Sequence, residues 1–334
     1  MRLRGRLVIE EFRSRCLVGN PLRDDAVRET PVYLPEGFTT ANEYPLIIVL
    51  SGFTGGALTH LNWSAWGETL PERIERLIIE KVIPPSVVMM PDCFTRLGGS
   101  QYINSSATGD YEDYVCGDLL PWAQKEFRAG LTPDQTVIVG KSSGGYGAFV
   151  LAARHPDLFG WSLVHSADSY FEYGYLPGFP QTLKELRKHA SPLDMIALYG
   201  NPQKHVSHDA INTTGMSACY SPNPESPYGF DYPFDLETGE LRDDVWSRWL
   251  SHDPVRMATD ERIIENLKKL SGLYIECGLS DEFHLQWGAR ILSTRLTDAE
   301  VPHTHIEFEG GHFGLQWRYD ESLGWWGRHL KDEQ

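Results

Sequence analysis

The chain has 334 residues and carries 30 Lys and Arg against 46 Asp and Glu, a formal net charge of −16 at pH 7. Nucleic acids and anionic membrane surfaces attract clustered positive charge, so this balance argues against both as partners. Hydrophobic residues make up 41% of the chain and charged residues 23%, as in an ordinary globular protein with a large core. We predict a single domain over residues 1–334, since one domain with an insertion can reach this length.

Short apolar segments predict the first elements of the chain. Residues 6–18 and 30–34 predict early, antiparallel strands. Residues 45–50 form a continuous β-branched run, which is typical of a strand covered on both faces, and a flexible glycine-rich loop follows at 51–56. A capping box with proline in the first turn, at 69–72, predicts the start of a helix.

The remaining predicted elements alternate between strands and helices. Apolar runs predict strands at 87–91, 137–139, 161–165, 273–277 and 303–308. The predicted helices lie at 111–127, 148–153, 259–269 and 284–299. This alternation predicts an α/β fold with a mostly parallel central sheet flanked by helices.

The alternation is interrupted at residues 169–256. Eight prolines occur between residues 177 and 233, and aromatic residues crowd the same region. We interpret 169–256 as an insertion that folds over the carboxyl edge of the sheet like a lid; the alternative is a structural flap that only fills one side of the domain. For a lid, Trp246 and Trp249 are candidates for substrate contact, because ligand pockets are mostly apolar.

Cysteine usage and the N-terminal residues bear on cellular location. The five cysteines include no C-x-x-C pair, and such an odd, sparse set is not typical of a disulfide framework. The apolar run at 7–9 ends at once in two glutamates, so no signal-peptide core is predicted, and no apolar run is long enough to span a membrane. We predict a cytoplasmic protein. The sequence does not decide its oligomeric state, and a homo-oligomer is one of the alternatives.

A G-x-S-x-G pattern between Gly140 and Gly144 is the most informative motif. It follows the predicted strand at 137–139 and precedes the predicted helix at 148–153, with Ser142 at its centre. This strand–turn–helix context is that of a nucleophile elbow, in which flanking glycines relieve crowding around an exposed serine. A phosphate-binding loop is excluded, because the G-x-x-x-x-G-K-[ST] order is absent.

A serine hydroxyl needs a base, which is usually histidine, and a carboxylate that orients the base. Of the twelve histidines, His312 follows the last predicted strand in a glycine-rich loop, whereas other candidates such as His165 are weaker. Asp281 follows the strand at 273–277, and the order Ser142, Asp281, His312 is that of the α/β-hydrolase fold. The adjacent Glu282 is expected to cap or pair with the following helix.

The tetrahedral intermediate of such a reaction needs two donors for its oxyanion. One should be the backbone N–H of Ser143, directly after the nucleophile. The second should come from the loop after the strand at 45–50, where we choose the N–H of Phe53. No metal site or cofactor is predicted, because the histidines do not form an H-E-x-x-H motif and serine chemistry needs no metal.

Four segments carry a family resemblance: 50–53, 140–147, 277–283 and 310–312. Together they resemble the esterase-D-like "putative esterase" family of α/β-hydrolases, which includes S-formylglutathione hydrolases, enterochelin-type esterases, feruloyl esterase domains and bacterial mycolyltransferases. The resemblance covers about residues 30–330 apart from the insertion. It implies serine ester hydrolysis with the residues assigned above. Ser51 stands where many α/β-hydrolases carry histidine, and the aromatic insertion matches no subfamily.

The sequence therefore predicts a serine carboxylester hydrolase that acts on a small-molecule ester through an acyl-enzyme intermediate. Two alternatives remain open at this point. One is an acyltransferase with the same triad, which passes the acyl group to an alcohol other than water. The other is a non-catalytic α/β-hydrolase-like scaffold used for binding.

Overall fold

An eight-stranded sheet runs through the computed structural model, which describes residues 3–199, 201 and 203–332. Gly200 and Pro202 of the predicted insertion lie outside the described residues. The strands of this sheet are β1 (Arg6–Arg13), β2 (Val27–Leu34), β3 (Leu46–Leu50), β4 (Val87–Met89), β7 (Thr136–Lys141), β8 (Trp161–His165), β9 (Gly272–Gly278) and β10 (Thr304–Phe308). A separate small hairpin consists of β5 (Asn104–Ser105) and β6 (Gly109–Asp110).

The strand order is β1-β2-β4-β3-β7-β8-β9-β10. β1 pairs antiparallel with β2, β2 pairs antiparallel with β4, and all later neighbours are parallel. This arrangement confirms the predicted mostly parallel sheet and the predicted antiparallel start. All five residues of β3 are buried, as expected for a central strand covered on both faces.

The helices of the described residues cover both faces of the sheet. They are α1 (Leu70–Ile79), α2 (Tyr111–Asp113), α3 (Leu120–Phe127), α4 (Ser143–Arg154), α5 (Phe171–Gly174), α6 (Phe179–Leu186), α7 (Pro192–Ile196), α8 (His208–Tyr220), α9 (Asp243–Leu250), α10 (Pro254–Met257), α11 (Glu261–Leu267), α12 (Leu285–Asp298) and α13 (Arg318–Asp332). Alternate residues of β3 separate two cores: Ile47 and Val49 pack with α1 and α13, whereas Ile48 and Leu50 pack with α4 and α12. None of these helices combines the length and apolar character needed to cross a bilayer.

Two helical features differ from the sequence prediction. The helix predicted over 111–127 is interrupted by a π-helical turn, Tyr114–Leu119, between α2 and α3. The C-terminal helix α13 was not predicted, because Gly324 and Gly327 weaken its helical pattern. A Cβ on Gly327 would lie 2.1 Å from the carbonyl oxygen of Val82, so glycine permits this close packing.

The connection between β8 and β9 contains the predicted insertion, folded as helices α5–α10 before α11; α8 is the longest of them, with 13 residues. Its aromatic side chains pack on one another and on the core: Phe171, Tyr175, Phe179, Tyr220, Phe234, Trp246 and Trp249 are buried. The insertion also approaches the sheet edge where β3 and β7 end, since residues of α5 and α8 share a cavity with residues that follow those strands.

Candidate active site

Ser142 lies at a sharp turn between β7 and α4. Its backbone adopts φ 59° and ψ −126°, a conformation that non-glycine residues rarely adopt and that marks strain at functional sites. The flanking glycines are required by packing: a Cβ on Gly140 would lie 2.4 Å from the carbonyl oxygen of Gly144, and one on Gly144 would lie 2.2 Å from that of Leu50. The sequence motif therefore forms the tight elbow that it predicts.

His312 and Asp281 are joined by a hydrogen bond of 2.7 Å between Nδ1 and Oδ2. Both residues are 2% exposed, and the carboxylate can only accept, so Nδ1 donates; in the neutral imidazole this leaves Nε2 as the acceptor. Asp281 Oδ1 accepts from the backbone N–H of Phe283 at 2.9 Å, which holds the carboxylate in place. The structure thus brings these two predicted residues together.

Glu282 has a different contact from the one expected. Its Oε2 accepts a hydrogen bond of 2.5 Å from the backbone N–H of His312, and no side-chain bond from Glu282 caps α12. A Cβ on Gly311 would lie 2.6 Å from Glu282 Oε1, so glycine is needed where this carboxylate meets the loop. Glu282 therefore holds the backbone of the loop that contains His312. It lies before the first residue of α12, Leu285, and does not cap that helix.

The loop after β3 presents the backbone of Phe53 to the same region. The N–H of Phe53 donates to no acceptor among the described residues, whereas the next N–H, of Thr54, donates to Gly98 O at 2.7 Å. Ser143 is the first residue of α4, so its N–H has no partner within the helix. Neither predicted N–H group donates a hydrogen bond within the described residues, so both are free to bind an oxyanion. Ser143 does not line the cavity that is described in the next paragraph.

A cavity of about 600 Å³ contains Ser142, His312 and Phe53 in its wall. Aromatic side chains form much of the remaining surface: Phe171, Tyr175, Tyr199, Phe283 and Phe313. Among the described residues, no hydrogen bond joins the Ser142 hydroxyl to His312; catalytic hydrogen bonds are often long in ligand-free structures. The size and apolar lining are those of a small-molecule site.

Titratable groups in this cavity have altered pKa values. Burial raises the pKa of Asp168, although donors from Gln101, Ser143 and Tyr175 oppose the rise. Burial lowers the pKa of the Lys141 ammonium, which lies 5.4 Å from the centre of the Phe313 ring. Burial also lowers the pKa of His208, so its neutral form is favoured.

Sequence reasoning missed the role of Asp168 in this wall. Asp168 follows β8 at the edge of the sheet where Ser142 follows β7. Polar residues after the carboxyl ends of parallel strands meet at one edge, so this position alone could have identified it. His208 and Tyr175 come from the insertion, and no local pattern identifies them.

Trp246 and Trp249 are not brought to the cavity. They are 7% and 0% exposed and pack in the aromatic core of the insertion, where Trp249 Nε1 donates to Ser221 Oγ at 2.9 Å. The expectation that they contact substrate is therefore corrected. The reason is that α9 is amphipathic and turns both tryptophans, with Val245, toward the interior.

The described residues contain no group of three or more His, Cys, Asp or Glu side chains placed to hold a metal ion. The five cysteines are free thiols.

Comparisons with known proteins identify the family of this chain. The sequence matches the model of a family described as "Putative esterase" over residues 26–333. The MPT51 antigen of Mycobacterium leprae (strain TN) is 33% identical over 89 residues, which cover 25% of this chain and only 29% of the antigen.

Two solved structures share the fold along nearly the whole chain. A ferulic acid esterase superposes with a TM-score of 0.61 at 19% identity, covering 98% of this chain and 100% of that one. An S-formylglutathione hydrolase from Staphylococcus aureus superposes with a TM-score of 0.56 at 18% identity, covering 97% and 99%. At these identities the likeness shows the α/β-hydrolase fold alone.

Proposed function

Because the chain belongs to the "putative esterase" family, we propose that it hydrolyses a carboxylic ester through a Ser142–His312–Asp281 triad. The observation that carries this proposal is a buried His312, hydrogen-bonded to Asp281, that lines the same cavity as a serine on a strained elbow. Nucleophile, base and orienting acid are the three roles that serine acyl transfer requires.

The first half-reaction starts when His312 Nε2 takes the proton of the Ser142 hydroxyl. The hydroxyl oxygen then attacks the ester carbonyl, and the backbone N–H groups of Phe53 and Ser143 stabilise the oxyanion. His312 returns the proton to the leaving alcohol, which leaves an acyl-enzyme. Asp281 stabilises the imidazolium throughout without being protonated itself.

In the second half-reaction, water enters the cavity and His312 removes one of its protons, so that hydroxide attacks the acyl carbon. The bond between that carbon and Ser142 Oγ then breaks, His312 returns the proton to Oγ, and the carboxylic acid leaves. An alcohol in place of water would give acyl transfer. The cavity of about 600 Å³ suits a small or medium ester, and its aromatic lining suits an apolar portion of that ester.

Substitution of the nucleophile tests the proposal. Ser142→Ala should lower kcat for p-nitrophenyl ester hydrolysis by on the order of 10⁶-fold and abolish labelling by a fluorophosphonate probe. Ser251→Ala is the matched control, because Ser251 is exposed at the end of α9. A wild-type protein that neither turns over esters nor reacts with the probe would support a binding scaffold. Ester products formed with added alcohols would indicate acyl transfer.

We also propose a cytoplasmic location, supported by five cysteines that form no disulfide. Cell fractionation tests this, and recovery of the protein outside the cytoplasm would contradict it.

A further inference from the structure

Asp168 is a buried carboxylate in the cavity wall to which the proposed mechanism gives no role. It follows β8 and is 8% exposed. Its Oδ2 accepts three hydrogen bonds, all of 3.0 Å, from Gln101 Nε2, Ser143 Oγ and Tyr175 OH. All three donors are neutral, and no Lys, Arg or His of the described residues forms an ion pair with this carboxylate.

Asp168 Oδ1 accepts no hydrogen bond from the described residues, yet it is not sealed from solvent, so it is open to the cavity. Two other buried aspartates show what a purely structural carboxylate looks like in this protein. Asp118 accepts from Arg15 Nε on Oδ1 and from Ser14 Oγ on Oδ2. Asp253 accepts backbone N–H groups on both oxygens. Asp168 differs because Oδ2 accepts three hydrogen bonds, whereas Oδ1 accepts none from the described residues.

The surroundings decide which donor suits Oδ1. Phe171 and Tyr175 line the cavity near it, and the Lys141 ammonium lines the same cavity. A cationic donor would lose its hydration among the aromatic rings and meet the charge of Lys141, and an anionic group would be repelled by the carboxylate. A neutral hydroxyl loses less hydration, and a buried acceptor without a donor is costly.

We propose that Asp168 is a specificity-determining residue whose free Oδ1 accepts a hydrogen bond from a hydroxyl group of the substrate. This inference rests on the proposed ester hydrolysis and defines its substrate class as hydroxylated esters. The three donors on Oδ2 hold the carboxylate still, so its free oxygen is presented in a fixed direction. Sites built in this way discriminate strongly against analogues that lack the hydroxyl, because the acceptor is then left unpaired.

The test compares ester pairs that differ only in one hydroxyl. Suitable pairs are 4-nitrophenyl hexanoate with 6-hydroxyhexanoate, 4-nitrophenyl benzoate with 3- and 4-hydroxybenzoate, and 2-phenylethyl acetate with its 4-hydroxyphenyl analogue. The hydroxyl thus lies on the acyl or on the alcohol side. In at least one pair the wild-type enzyme should prefer the hydroxylated ester by roughly 10- to 100-fold in kcat/KM, the range for a hydrogen bond to a charged group. Asp168→Asn should remove most of that preference, because its amide NH₂ can face the cavity in place of an acceptor.

Asp209→Asn is the matched control, since it removes a negative charge from the same cavity and should leave the hydroxyl preference unchanged. An equal loss for both members of every pair in Asp168→Asn would overturn the proposal, because Asp168 would then only position Ser143 and Tyr175. If Asp168→Asn does not fold, the ester pairs measured with the wild-type enzyme still test the proposal. A wild-type enzyme that prefers the hydroxylated ester in none of the pairs would overturn it. Turnover of the unsubstituted esters reports separately on ester hydrolysis.

Discussion

Two Ser–His–carboxylate arrangements occur among the residues that the structure describes, and one of them lines the cavity of the proposed active site. Besides the proposed triad, His165 Nδ1 lies 2.8 Å from Glu276 Oε1, and His165 Nε2 lies 2.9 Å from Ser322 Oγ. All three residues are 2% exposed or less, and none lines the cavity described above. Arg318 also pairs with Glu276, so this arrangement ties β8, β9 and α13 together.

The contrast shows which features make a serine a candidate nucleophile. Ser322 has a histidine partner but lies in the middle of α13, where a substrate cannot approach it. Ser142 has a strained backbone, glycine neighbours and a cavity. Hydrogen bonds to histidine and a carboxylate are therefore not enough to identify a nucleophilic serine. The substrate must also be able to reach the serine hydroxyl.

The two adjacent carboxylates Asp281 and Glu282 should differ sharply on substitution. Asp281→Asn should lower kcat by about 10⁴-fold, because an amide favours the wrong tautomer of His312. Glu282→Gln should lower kcat less than about tenfold, since the amide oxygen can still accept from the His312 backbone N–H. Steady-state kinetics on one p-nitrophenyl ester, with circular dichroism to confirm folding, checks both values.

Glu282→Ala extends this comparison, because it removes the acceptor entirely and frees the histidine loop. We expect a kcat between those of the other two variants. A Glu282→Gln loss as large as that of Asp281→Asn would show that the orienting acid is misassigned.

At the scale of elements, helix α8 of the insertion braces the loop that carries Phe53. The Phe53 ring lies in a slot formed by three glycines: a Cβ would lie 2.6 Å from it at Gly98, 3.1 Å at Gly99 and 2.9 Å at Gly215 of α8. The Thr54 N–H bond to Gly98 O holds the backbone of the same loop. The insertion therefore contacts the Phe53 side chain, in addition to lining the cavity.

Gly215→Ala should lower kcat with little change in KM, and by the same factor for every ester. The added Cβ would lie 2.8 Å from Leu97 O and 2.9 Å from Phe53 Cε2, so the ring must shift and carry the Phe53 N–H with it. Loss of an oxyanion donor costs roughly 10²- to 10³-fold in kcat, which sets the upper limit. Kinetics on one short and one aromatic ester provides the measurement.

Gly117→Ala is the control for a glycine-to-alanine change in a helical segment, because a Cβ there meets nothing within 4 Å. Its kcat should equal that of the wild type. If Gly215→Ala changed the ratio of kcat/KM for the two esters, α8 would instead determine substrate choice. An unchanged kcat would show that the contact between α8 and Phe53 does not affect catalysis.

At the scale of the whole molecule, two desolvated histidines connect stability to pH. Burial lowers the pKa of His60 and that of His252 from 6.5 to about 4. His252 stacks on Tyr220 with ring centres 5.1 Å apart, and its Nδ1 has no partner among the described residues. In the unfolded chain both side chains would take up a proton near their ordinary pKa.

Stability should fall as the pH drops from about 6.5 to about 4. In this window the unfolded chain binds protons that the folded chain excludes, so protonation favours unfolding. The stabilising contribution is complete above the unfolded pKa and is lost as the pH falls through the folded pKa. His252→Gln should reduce this dependence, by a few °C in melting temperature between pH 7 and pH 4.5.

His205→Gln is the matched control, because His205 is exposed. Differential scanning calorimetry at four pH values in the same buffer series measures the effect. Parallel pH curves for wild type and His252→Gln would contradict a role for the buried imidazole.

Local patterns were sufficient for much of the fold and for the residues of the proposed triad. The β-branched runs predict the parallel strands, because a strand covered on both faces needs apolar residues throughout. Gly140 and Gly144 predict the elbow, because their missing Cβ atoms are a local steric requirement. Asp281 and His312 could be proposed from chain order, since loops after parallel strands meet at one edge of the sheet.

Other features depended on contacts between segments far apart in the chain, which local patterns do not encode. Only the packed structure shows that Trp246 and Trp249 face the core of the insertion. Only it shows that Glu282 binds the backbone of the loop thirty residues away, instead of α12. The hydrogen bonding of Asp168 also depends on the tertiary structure. Donors from three different segments all bind Oδ2, and Oδ1 is left without a donor among the described residues.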